Sequence, residues 1–144
     1  MAKMKVCVSY DADHDKEYRR LLEAWDANSN IAFSFNNLTP EEIKSENYTA
    51  VKGVLTKKIS SATRLLVIVG EHAKQRHPRY QEIGDHNWMY WEINKAKELS
   101  KKLVAVKIDK SFESPDPLLN SGAYWANSFT LKAITAALEN SKGT

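Results

Sequence analysis

The sequence predicts an α/β fold, a flavodoxin-like three-layer sandwich around a parallel sheet of 4-5 strands. Three observations carry this. Apolar runs of strand length alternate with amphipathic helical segments. Each connection between strands is long enough for a crossover, which parallel pairing requires. Arg64–Gly70 (RLLVIVG) is continuously apolar, the pattern of a strand covered on both faces. Right-handed crossovers and short connections then favour the strand order 2-1-3-4(-5), with a short or missing fifth strand near Ala123–Trp125.

The elements follow in order. Met4–Tyr10 (MKVCVSY), rich in β-branched and aromatic residues, is the first strand. Asp11–Asp15 is turn-like, with Asp13 or Asp15 placed to cap the next helix, Lys16–Ala27. That helix carries Tyr18, Leu21, Leu22 and Trp25 at i, i+3, i+4 and i+7. Ile31–Phe35 is the second strand, and a polar loop, Asn36–Tyr48, follows, with Pro40 opening a short helical turn. Val51, Leu55 and Ile59, with Val54 beside them, mark a second helix that ends near Ser60–Ala62. After the Arg64–Gly70 strand, Glu71–Asp85 is a long polar loop. A helix beginning near His86 leads into the strand Leu103–Asp109. Lys110–Trp125 is irregular, Asn127–Asn140 is a helix, and Ser141–Thr144 is expected to fray.

Size and composition suit one compact domain spanning residues 1–144. Charged residues make up 27% and hydrophobic residues 42%, ordinary for a globular protein. The net charge of +3 is spread along the chain, so charge gives no support for nucleic-acid binding. No stretch approaches a membrane span, and the apolar run after the basic Met1–Lys5 is too short for a signal peptide. The single cysteine, Cys7, falls in an apolar strand. It reads as a buried thiol in a reducing, cytoplasmic setting.

In such sheets ligands bind beyond the carboxyl ends of the strands, where the strand order switches. Here that is between strands one and three, beside Ser9–Asp13, Phe35–Asn37, Gly70–Glu71 and the start of the His86 helix. On that helix Met89, Ile93 and Ala96 form an apolar stripe, with Trp88, Glu92 and Leu99 along its edge. Glu92 is out of place. A carboxylate at the margin of a core costs desolvation unless hydrogen bonds or a ligand compensate it. The plain alternative is a Glu that reaches past the rim to solvent or pairs with a lysine.

Several chemistries are disfavoured. There is no GxGxxG and no GxxxxGK[ST], which argues against dinucleotide-binding dehydrogenases and P-loop enzymes. His72, His77 and His86 match no standard zinc spacing, so no metal is expected. The elbow motif of a nucleophilic triad is missing. A phosphoacceptor receiver needs an Asp at the end of strand three, where Val69-Gly70-Glu71 stands instead. What remains is Glu92 among the aromatics Trp88, Trp91, Tyr10 and Phe35. Flat rings can stack a base or a pyridinium, and a carboxylate can stabilise an oxocarbenium-like centre. Core packing is the competing role for these rings.

Three segments resemble the TIR (Toll/interleukin-1 receptor) domain, in the bacterial form seen in Thoeris antiphage systems. VCVSYDADHD resembles the family's first strand and acidic exit, and RLLVIVG its third strand. NWMYWEINKAKELSKKLVAVKID resembles its W-x-x-x-E helix and the strand after it. Together they span most of residues 4–109. The resemblance implies a TIR-like flavodoxin fold and cleavage of the nicotinamide–ribose bond of NAD, with NAD as substrate and no cofactor. By position the catalytic residue is Glu92. Tyr10, Phe35 and Trp88 would line the nicotinamide side, with Asn36 beside Phe35, and Ser9 and Asp11 would contact ribose or phosphate. The resemblance further implies a cyclic ADP-ribose isomer as second messenger, a homo-oligomer, and a separate effector protein that senses the product.

Two departures stand out: the Asn36–Tyr48 loop lacks glycine and is acidic, and Glu71–Asp85 is long. An NADase, a non-catalytic TIR-type interaction module and a nucleotide sensor without turnover all remain open at this point. Nicotinamide release separates the first from the others.

Overall fold

The computed structural model describes residues 4–11, 14–27, 33–36, 39, 40, 43 and 45–143. Its strands are β1 (Met4–Ser9), β2 (Phe33–Asn36), β3 (Arg64–Val69), β4 (Lys102–Lys107) and β5 (Tyr124–Ala126). Its helices are α1 (Lys16–Asp26), α2 (Tyr48–Ser61), α3 (Tyr80–Ile83), α4 (Trp88–Glu98) and α5 (Leu131–Asn140). All strand pairs are parallel and the order is β2-β1-β3-β4-β5, as the sequence predicts.

Strand alternation sorts the core into two layers. Val6, Val8, Phe33, Phe35, Leu66, Ile68, Val104 and Val106 pack against Leu22 of α1 and Ile134, Ala137 and Leu138 of α5. Cys7, Leu65, Val67, Val69, Leu103 and Ala105 face Ile59 of α2 and Met89, Ile93 and Ala96 of α4. A smaller cluster of Val51, Leu55, Ile83 and Trp88 joins α2, α3 and α4. Cys7 is fully buried, and burial pushes its thiol up to about 12, so it stays protonated and inert.

Several boundaries differ from the sequence reading, each for a local reason. The long polar loop contains α3, which Gly84 closes in the left-handed conformation at φ 82°. Helix α4 starts at Trp88 because Asn87 caps it, its Oδ1 accepting from the Tyr90 N–H at 2.9 Å. Helix α5 starts at Leu131, later than Asn127, because Thr130 caps it; Phe129 instead packs its ring against Tyr18 and Trp25. Of the tail expected to fray, Thr144 lies outside the described residues. Ser141–Gly143 forms a 3-10 turn, and buried Ser141 accepts from Arg64 Nε at 2.7 Å and donates to the Leu138 carbonyl. Ile31 and Asp13 lie outside the described residues, as do Glu41 and Glu42 of the expected Pro40 turn; there the Ile43 N–H donates to the Pro40 carbonyl at 3.1 Å. Asp15 occupies the N-cap position of α1, without a side-chain capping bond. Among the described residues no helix is long and apolar enough to cross a membrane.

Candidate active site

Glu92 lies on the face of α4 that meets the sheet and is only 2% exposed. One strand and one helix converge on its carboxylate. Ser9, the last residue of β1, points to the same face as Cys7, and its Oγ donates to Glu92 Oε1 at 3.0 Å. Lys58 of α2 reaches Oε2 at 2.5 Å and also donates to the Val8 carbonyl at 3.2 Å. Lys58 is 4% exposed. The pairing is the lysine partner considered among the plain alternatives, but inside the core rather than at its rim. A buried pair of this kind is held only when further hydrogen bonds satisfy both ions, as Ser9 and Val8 do here.

A cleft of about 350 Å³ opens one helical turn above Glu92. Tyr10, Asp11 and His14 line it from the exit of β1, and His72, Ala73 and Gln75–Pro78 from the loop after β3. Pro40, Asn87, Trp88 and Met89 complete the lining. The loop wall is pinned to the start of α4: Asn87 Nδ2 donates to the carbonyls of Ala73 (3.0 Å) and Gln75 (2.9 Å). His86 Nε2 meets the Lys74 carbonyl, and the His77 N–H meets the carbonyl of His86. Trp88 packs between Tyr48 and Trp91, with ring centroids 5.2 and 5.9 Å away. Beyond Trp88 lies a smaller hollow of about 200 Å³, which shares Pro40, His77 and Trp88 with the cleft.

Of the residues singled out from sequence, the structure brings Tyr10, Asp11 and Trp88 into the cleft and Ser9 onto Glu92. It does not bring Phe35 or Asn36 there. Phe35 pairs with Val6 in register and points into the α1/α5 layer, on the other face of the sheet from Ser9. Asn36 is exposed at the end of β2. Tyr10 is buried, its hydroxyl accepting from Arg19 Nη1 at 3.2 Å.

Sequence reasoning missed Lys58, although it falls with Val51 and Leu55 at i, i+4 and i+7 on the apolar stripe of α2, where a lysine is out of place. It also missed the polar cluster at the β1 exit. Asp11 bonds His14 Nδ1 at 2.7 Å, and the His14 ring stacks on His72 at 3.8 Å. Asp15 is 7% exposed, and its Oδ2 has no hydrogen-bond partner. Burial, and then the charge of Asp11, raises its carboxyl to about 6, against the opposing pull of His14 and His72. Asp15 fits only because residue 70 is glycine: a Cβ there would lie 2.1 Å from Oδ2. Among the described residues no three His, Cys, Asp or Glu side chains converge as a metal site.

An all-parallel sheet with this strand order, carrying a Trp88/Glu92 pair on the helix beside its switch point, defines a TIR-like α/β domain. The chain belongs to the family described as Thoeris protein ThsB, TIR-like domain, which it matches over residues 7–113. Two solved structures are similar in fold. A 2-deoxyribosyltransferase from Bacillus psychrosaccharolyticus matches with a TM-score of 0.55 at 13% identity over 87% of each chain. A 2-desoxiribosyltransferase from Leishmania mexicana has a TM-score of 0.55 at 12% identity, covering 95% of this chain and 97% of its own. No curated protein matches the chain.

Proposed function

We propose that this antiphage TIR-type protein cleaves NAD, releasing nicotinamide and forming a cyclic ADP-ribose isomer as a second messenger. The observation that carries this reading is Glu92, a carboxylate held by Ser9 and Lys58 one turn beneath an aromatic-walled cleft. Nicotinamide would stack against Trp88. The bond between its ring nitrogen and ribose C1′ breaks, and the electron pair leaves with the now neutral nicotinamide. Glu92 stabilises the oxocarbenium left behind. Capture by a nucleophilic atom of the same molecule, with loss of its proton, closes the cyclic product; capture by water gives ADP-ribose. In the closed geometry Glu92 does not line the cleft. The reading therefore entails an open state in which Trp88 and Met89 yield and Glu92 exchanges Lys58 for a ribose hydroxyl. Self-assembly is the event we propose to favour that state, and a separate effector would read the product.

The experiment is NAD turnover with products identified by mass spectrometry, for the protein alone and in lysate of phage-infected cells. Glu92→Gln keeps the volume and removes the charge, so nicotinamide release should vanish in the variant, whose folding is checked by circular dichroism because Lys58 loses its partner. Undiminished release by that variant sinks the assignment. A second reading, a non-catalytic interaction module, is favoured by the closed ion pair itself, since substrate cannot reach Glu92 in this geometry. It predicts no nicotinamide under either condition.

A further inference from the structure

On the NAD-cleaving reading the reaction engages the Trp88 end of the cleft, and the charges around the remainder bear on what else it holds. Most basic side chains nearby are already matched with carboxylates. Arg19 bonds Glu23 at 2.8 Å, Arg79 bonds Glu82, and Lys74 lies 3.4 Å from both Glu113 and Asp116. Arg76 differs. It is the one Lys or Arg among the residues lining the cleft, and among the described residues no carboxylate pairs with it. Its guanidinium lies over the Tyr80 ring, 4.5 Å from the centroid. Stacking holds the plane of the group while leaving its N–H edges available as a fork. The backbone beneath is fixed as well, because Asn87 grips the carbonyls of Ala73 and Gln75 on either side of Lys74. The single carboxylate of the lining, Asp11, is bonded to His14.

The geometry points to Arg76 as an anion anchor that takes the diphosphate of a dinucleotide, with the nicotinamide end toward Trp88. This rests on the NAD-cleaving reading for the identity of the substrate, though not for the presence of the anion site. The chain has no glycine-rich phosphate loop, so a side chain must do this work. A planar guanidinium matches paired phosphate oxygens bidentately, in a way a lysine cannot.

Calorimetric titration with ADP, inorganic pyrophosphate and adenosine tests this without any turnover. ADP and pyrophosphate should bind the wild-type protein. Arg76→Ala should weaken ADP about tenfold or more, the scale of a lost charge-assisted pair. Adenosine should lose much less, and Arg76→Lys should recover part of the ADP binding. In turnover, Arg76→Ala should act mainly through KM for NAD. Equal ADP affinity in wild type and Arg76→Ala, equal losses for ADP and adenosine, or no ADP binding by wild type would each overturn the anchor. Loss of ADP binding in Arg76→Ala alongside no NAD cleavage by wild type would leave the anchor standing and remove the enzyme. Cleavage that depends on Glu92 with KM unchanged in Arg76→Ala would do the reverse.

Discussion

At the scale of single residues, the Lys58–Glu92 pair ties α2 to α4 through the core. Removing one ion strands the other, which in buried pairs costs about 3–5 kcal/mol. Lys58→Met should therefore destabilise the fold by roughly that amount in urea denaturation, because Ser9 alone is left to satisfy the carboxylate. The double variant Lys58→Met with Glu92→Leu should recover much of the loss, since it removes both charges from the low-dielectric core. A double variant as unstable as the single one would mean that packing, not charge, sets the cost. Glu92 itself was legible in the sequence, as a carboxylate four residues after a tryptophan at the edge of an apolar stripe. Lys58 was not. Lysines are usually solvated, and the contact spans 34 positions between helices whose relative placement only the folded sheet fixes.

At the scale of elements, the start of α4 does two jobs at once. Asn87 caps the helix and holds the Ala73–Gln75 stretch of the cleft wall. Asn87→Ala should lower stability by about 0.5–2 kcal/mol through the lost cap, measured by thermal or chemical unfolding. It should also speed hydrogen exchange in residues 72–78, which a cap acting on the helix alone would leave unchanged. The strands were readable from apolar runs and alternation, and the order followed from crossover rules. The misplaced residues are those whose direction depends on register. Phe35 belongs near the switch point by sequence, but pairing with Val6 turns it to the α1/α5 side. The start of α5 reads too early in the sequence because Phe129 can be counted with Ile134, Ala137 and Leu138 on its apolar side, yet Phe129 packs on Tyr18 and Trp25 ahead of the helix and Thr130 is the residue that caps it.

At the scale of the whole molecule, stability should depend on pH through Asp15. Its carboxyl is raised from an ordinary 3.8 to about 6, so the fold prefers it protonated. Its contribution is complete below the unfolded value near 3.8 and is lost as pH rises through about 6. Melting temperature should therefore fall between about pH 4 and pH 6, in the window this shift defines, and level off above it. Asp15→Asn should flatten that slope and melt higher at pH 7. An unchanged slope would mean that Asp15 is not its source. None of this was visible in the sequence, where Asp11–Asp15 reads as a solvated turn; the burial comes from the carboxyl resting on Gly70 at the far end of β3.

Trp88 stands between two hollows, with Pro40 and His77 common to both. One indole is thus the partition between two chambers. A small molecule wedged into the lesser chamber would press on the Trp88 end of the larger one from behind, and change what fits there without competing for its space.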